Sequence, residues 1–259
     1  MRIVAVALAL LAGAIAAAGC GGDDEADPFA YARDAPLAIR VLDEQVGGGV
    51  EILDTSFAAA GGRVHAWVLV SDAPGPLPVV LFQHGGGSSR DDFLQEAAAV
   101  VERGAAAVLV QAPERPSTRA GIVANVVAWR RVLDWVETRT RLDARRIAYV
   151  GISYGAAVGA VLAGADDRVA TFVLLSGPPR WHGARVADLE PEDWIGRSDA
   201  RFLFQVGTAD DVVPPEDAEA LYEAAPEPKE IRRYDAGHLL NAEAQRERVA
   251  WLSRVLGLG

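Results

Sequence analysis

Ile147-Ala148-Tyr149-Val150-Gly151-Ile152-Ser153-Tyr154-Gly155 joins a short apolar run to a serine held between two glycines, and Ala156 to Gly164 continues in small residues. The run Ile147 to Val150 reads as a strand buried on both faces, as at the centre of a parallel sheet. The small-residue stretch reads as a helix. A serine on so sharp a strand-to-helix turn is pushed out of the sheet. Both flanking positions need glycine because the two backbones pass too closely for a side chain.

Outward from this turn the chain alternates. Towards the N-terminus, Val79 to Gln83 and Ala105 to Gln111 read as strands, with Asp91 to Arg103 helical between them. Ile122, Val126, Trp129, Leu133 and Val136 fall at spacings of four and three, one buried face of a helix. Earlier still, Ala38 to Leu42, Val50 to Ala58 and Arg63 to Ser71 read as an antiparallel meander, with Gly61-Gly62 supplying a hairpin turn. Towards the C-terminus, Val169 to Leu175, Arg201 to Val206 and Ile231 to Tyr234 are strands, and Val249, Leu252, Val255 and Leu256 give the closing helix an apolar stripe. Such alternation predicts an α/β fold with a mainly parallel sheet and helices on both faces.

An activated serine needs a base to take its proton and an acid to orient that base. Of the four histidines, His238 lies in Asp235-Ala236-Gly237-His238, just past the last strand, where a loop can reach back over Ser153. It is the expected base. His65 sits inside an N-terminal strand, His84 in a glycine loop that it would brace, and His182 in an irregular insert. The acid is expected at Asp210 in Gly207-Thr208-Ala209-Asp210-Asp211-Val212-Val213-Pro214, with Asp211 as its rival. His84-Gly85-Gly86-Gly87-Ser88-Ser89 follows another strand end and can offer unobstructed backbone N–H groups to a developing oxyanion. That hole is assigned to the N–H groups of Gly86 and Tyr154, with Gly87 as a substitute.

With the order Ser153, Asp210, His238, these motifs resemble the α/β-hydrolase superfamily, over roughly residues 36 to 259. Within it the chain is similar to the branch of dienelactone-hydrolase-like and acyl-aminoacyl-peptidase-like serine esterases. The resemblance implies an eight-stranded type of sheet and a short cap at about 177–199. A short cap implies an open site for small or medium acyl esters. Trp181, within that cap, would either wall the acyl pocket or pack the insert onto the sheet, and the Tyr154 ring would face the substrate. True dienelactone hydrolases use a cysteine nucleophile. Here that position is Ser153, so their substrate does not transfer.

Composition removes competing chemistries. The formal net charge is −11, and loss of Arg2 with a leader would make it −12, so nucleic acid is not an expected partner. Cys occurs once, as Cys20, which excludes a disulfide, a thiol nucleophile and a Cys-ligated metal in the folded body. The single Lys229 stands in a polar Pro-Glu-Pro-Lys-Glu turn, outside any phosphate-loop context. No metal or cofactor is expected. Arg139, Arg141, Arg145 and Arg146 would form a solvated edge opposite the chemistry.

Arg2 followed by the apolar run Ile3 to Ala18 has the anatomy of a secretory signal peptide. Ala17-Ala18-Gly19-Cys20 resembles the bacterial lipoprotein lipobox, which implies lipidation of Cys20. The expected organisation is a signal peptide at 1–19, a lipidated Cys20 with a flexible acidic tether to residue 35, and one hydrolase domain at 36–259. The protein would then be an extracytoplasmic serine esterase of the bacterial envelope, anchored to the membrane by its lipid and acting on a small-molecule ester through an acyl-enzyme. A peptidase or thioesterase on the same triad, or a ligand-binding envelope lipoprotein without catalysis, are the alternatives.

Overall fold

The computed structural model describes residues 27–59, 62–112, 118–181 and 186–259. The signal segment, Cys20, Gly61 and His182 lie outside the described residues.

The sheet has nine strands in the order β1-β2-β3-β5-β4-β6-β7-β8-β9, one more than the eight expected. β1 (Arg40–Gly47), β2 (Val50–Ala59) and β3 (Gly62–Ser71) form the antiparallel meander, and β3 pairs antiparallel with β5 (Ala106–Val110). The remaining strands, β4 (Leu77–Gln83), β6 (Leu142–Ile152), β7 (Thr171–Leu175), β8 (Arg201–Gly207) and β9 (Lys229–Tyr234), continue from β5 in parallel. β4, β5 and β7 are buried at every residue, as continuous apolar runs in a sheet covered on both faces should be.

Four elements cover one face: α2 (Arg119–Glu137), α3 (Tyr154–Ala165), α4 (Pro191–Ile195) and α5 (Pro215–Ala224). The other face carries α1 (Leu94–Val101) and α6 (Ala242–Leu256). The stripe Ile122, Val126, Trp129, Leu133 and Val136 on α2 is fully buried, and Thr118 caps the helix by accepting from the Gly121 N–H at 3.1 Å. Asn241 caps α6 in the same way, through the Ala244 N–H, and Gly257 ends it with φ of 64°.

Four expectations change. β1 runs to Gly47 rather than stopping at Leu42, because pairing with β2 through the Gly48-Gly49 turn outweighs the poor strand propensity of Asp43-Glu44-Gln45. Residues 27–35 are packed rather than a free tether. Phe29 is fully buried with its ring 4.9 Å from Trp194 of α4, and Arg130 donates to the Phe29 carbonyl while Tyr31 donates to Asp134. Lys229 opens β9, and its ammonium donates to the Tyr222 and Glu223 carbonyls at the end of α5. Of the four arginines, Arg145 is solvated, but Arg146 ties Asp143 to the carbonyls of Leu256 and Pro76, and Arg141 holds the Ser71 carbonyl.

Candidate active site

The parallel strands end along one edge in close register. Gln83 lies opposite Gly151, Ile152 opposite Leu175, Leu175 opposite Gln205, and Gly207 opposite Tyr234. Ser153, Asp210 and His238 all leave the sheet at this edge.

Ser153 has φ of 54° and ψ of −116°, a conformation that costs about 1–3 kcal/mol and persists only where its surroundings enforce it. They do so here. Its N–H donates to the Leu175 carbonyl at 2.8 Å, and an added Cβ on Gly151 would sit 2.3 Å from the Gly155 oxygen. Half-buried at the tip of the turn, the Ser153 hydroxyl makes no hydrogen bond to a described protein group.

Asp210, not Asp211, meets the histidine. Its side chain is 1% exposed, and its two oxygens lie 3.0 and 2.9 Å from His238 Nδ1. The Val212 and Val213 N–H groups each donate to Oδ1 at 2.9 Å. Burial pushes this carboxyl up, but the Val213 N–H, His238 and the Val212 N–H together bring it below the ordinary carboxylate value. Asp211 is exposed. A carboxylate at Asp210 that accepts from Nδ1–H leaves Nε2 as the ring nitrogen that accepts in the neutral imidazole.

The glycine loop lies against the serine turn. A Cβ on Gly85 would stand 3.6 Å from Ser153 Cβ, and one on Gly86 3.7 Å from Tyr154 Cβ. Tyr154 is the first residue of α3, so its N–H has no helical acceptor and shares the positive end of the helix. The Tyr154 ring, expected to face substrate, instead points into the protein. Its hydroxyl accepts from Asn125 Nδ2 at 3.1 Å, and burial raises its pKa. Trp181 is buried with its ring 5.6 Å from that of Tyr154, and its Nε1 donates to the Leu189 carbonyl.

His84 braces the loop. Nδ1 lies 2.7 Å from the Gly85 carbonyl and so carries the proton, while Nε2 accepts from the Ala112 N–H at 3.0 Å and from Gln111 at 3.1 Å. Burial lowers its pKa. A native value below the unfolded one means that His84 contributes stability that is fully present above about pH 6.5 and is lost as pH falls through the lower native value. Thermal melts between pH 7 and pH 5 should therefore show a shallower pH slope in His84→Gln than in the native chain. Equal slopes would remove His84 from this role. His65, on β3, is exposed opposite Ser56 and away from the site.

Residues 78–191 match the family model described as alpha/beta hydrolase fold. The chain has the α/β-hydrolase fold. Its similarity to solved structures extends over most of its length. An acetyl xylan esterase from Paenibacillus sp. R4 has 21% identity and a TM-score of 0.73, covering 85% of this chain and 89% of that one. Acetyl xylan esterase 1 from Thermoanaerobacterium sp. JW/SL YS485 has 16% identity and a TM-score of 0.77, covering 88% and 91%. A cold-adapted esterase from an Arctic intertidal metagenomic library has 17% identity and a TM-score of 0.70, covering 83% and 97%. At these identities the likeness is one of fold. No curated protein sequence matches the chain.

Within this α/β-hydrolase fold, supporting residues escaped the sequence reading. Ser176, fully buried with φ of 46°, donates its hydroxyl to the His238 carbonyl at 3.0 Å and so fixes the start of the histidine loop. Gln205 donates to the Tyr234 hydroxyl and to the Ala244 carbonyl, and accepts from Arg248, which is itself paired with Glu96. This buried chain fastens α6, which follows the His238 loop, onto the sheet. The signals were a polar residue at or near the end of an apolar run, as at Gln83 and Gln205, and a serine directly after the run Val169 to Leu175. Two large clefts, about 660 Å³ between the meander and α2 and about 840 Å³ beside Arg168, share no residue with the triad or the glycine loop.

Proposed function

We propose that this chain is a serine hydrolase that cleaves small or medium carboxylic esters through an acyl-enzyme on Ser153. One observation carries the reading: a buried Asp210 paired with a half-buried His238 on the same sheet edge as a serine held in a strained turn. Ser153 Oγ attacks the ester carbonyl carbon while His238 Nε2 takes the hydroxyl proton. The carbonyl electron pair moves onto oxygen, which the Gly86 and Tyr154 N–H groups receive. Collapse breaks the bond to the alcohol, and His238 returns the proton to the departing oxygen. Water then repeats the sequence on the acyl-enzyme, with the same base and the same donors, to release the acid. The esterases among the structural neighbours support the reaction class.

The test is a fluorophosphonate probe on the purified chain, followed by peptide mass spectrometry. The expected result is a single modified residue, Ser153, in the native protein and none in His238→Ala. A folded native sample that takes up no probe would defeat the proposal.

A further inference from the structure

We infer that the alcohol half of the ester rests on an apolar surface made by Val212 and Leu239, so that the enzyme selects esters of apolar alcohols over esters of polyhydroxylated ones. The inference deepens the serine-hydrolase reading and rests on it. Its first step is chemical. When the tetrahedral intermediate collapses, the alkoxide oxygen must take a proton from His238 Nε2, so that oxygen lies within hydrogen-bond reach of the imidazole. The carbon chain attached to it therefore extends over whatever surrounds His238. The acyl half points elsewhere, because the oxyanion donors Gly86 and Tyr154 fix the carbonyl on the side of the glycine loop.

Two exposed apolar side chains stand on the loops that carry Asp210 and His238. Leu239 is 80% exposed and Val212 is 58% exposed. Six large hydrophobic side chains are exposed among the described residues. Four of them, Ile39, Val41, Leu42 and Val46, belong to β1 and its approach at the far end of the sheet. The two that remain flank the triad. Their placement is held from below. Val212 N–H and His238 Nδ1 bond the same Asp210 oxygen, at 2.9 and 3.0 Å, so the two nitrogens are at most about 6 Å apart. Leu239 is the third residue of a turn closed by the Leu240 N–H on the Gly237 carbonyl at 3.0 Å. Leu240, with φ of 62°, packs inward against the core beneath α6, and this directs its neighbour outward.

Solvent-exposed leucine and valine on two separate loops, β8 to α5 and β9 to α6, which meet at the Asp210–His238 pair, are what an apolar leaving group would cover. A leaving group rich in hydroxyls would find no donor or acceptor on either side chain. The exposed carboxylate of the adjacent Asp211 also disfavours an anionic alcohol.

The experiment compares two acetate esters, so that the acyl-enzyme and its hydrolysis are common to both. Benzyl acetate supplies an apolar alcohol and a mono-acetylated methyl xyloside a polyhydroxylated one. The readout is the ratio of their kcat/KM values. The native chain is expected to favour the benzyl ester at least about tenfold. Leu239→Ser and Val212→Ser are each expected to lower that ratio about threefold, and the double variant to bring it near unity. Val46→Ser, equally exposed but on β1, should leave it unchanged. Fluorophosphonate labelling of Ser153 is followed in every variant to show that the triad is assembled. Labelling retained with an unchanged ratio would overturn this inference and leave the hydrolase reading standing. A native protein that neither labels nor hydrolyses either ester would overturn both.

Discussion

Asp210→Asn is expected to lower kcat/KM for ester hydrolysis by about 10³–10⁴-fold, while Asp211→Asn changes it less than about threefold. The size of the first effect follows from which atom the asparagine would turn towards the histidine. Oδ1 of Asp210 is fixed as an acceptor by two backbone N–H groups, from Val212 and Val213. An amide at this position keeps its oxygen there and places its NH₂ where Oδ2 now stands, 2.9 Å from His238 Nδ1. Nδ1 then has to accept, its proton moves to Nε2, and the imidazole can no longer take the Ser153 proton. The fold tolerates the exchange because both backbone bonds survive. Stability at neutral pH should fall only modestly, by the charge-assisted part of those bonds. Asp211 bonds to no catalytic group and is exposed, so its amide alters only a surface charge. Steady-state kinetics on the two single variants decides between them. A larger loss from Asp211→Asn would place the orienting acid one residue later than the geometry does.

Most of the fold, and the pairing of Asp210 with His238, were legible in the sequence because each depends on local sequence. Ser153 and Asp210 each follow an apolar run that can only be a buried strand, and His238 follows the edge strand Lys229–Tyr234. Even where the adjacent acids left two choices, register resolved what spacing could not: the turn after Gly207 buries one carboxylate and exposes the next. What sequence did not reveal depends on distant pairing. Glu96 on a short helix looks like a solvated acid, and its partner Arg248 is 152 residues away. Phe29 stands just after an acidic stretch, and only the meeting of α2 and α4 creates the place where it is buried. The Tyr154 ring could have faced either substrate or protein. The Asn125 amide on α2 settles the matter, from a helix whose apolar stripe drew attention away from its one buried amide.

Gly155→Ala is expected to destabilise the protein by more than about 4 kcal/mol, enough to unfold much of it at ordinary temperature given typical total stabilities of about 5–15 kcal/mol. The new methyl would meet the Gln83 carbonyl oxygen at 2.3 Å, with Gln83 Cγ and the His84 oxygen both at 2.9 Å. None of these can yield cheaply. The Gln83 backbone is held in the sheet opposite Gly151, and Gln83 Oε1 accepts from Trp129 Nε1 at 2.9 Å inside the core. His84 is fixed by the bonds that brace the glycine loop. Relief would require α3 to lift from β4, which breaks the contact between the helix start and the glycine loop. The loss is therefore more than the usual 1–3 kcal/mol of overpacking, because the clash is with backbone rather than with a side chain that can change rotamer. Gly47→Ala supplies the comparison: nothing lies within 4 Å of its added methyl, and its cost should stay within about 0.5 kcal/mol. Urea unfolding of the two variants measures both. If Gly155→Ala unfolded at the native midpoint, strand and helix could not be packed as closely as they are here. The strain at Ser153 would then lose its cause, since it is this close packing of β4, β6 and α3 that forces the serine into a conformation it would otherwise leave.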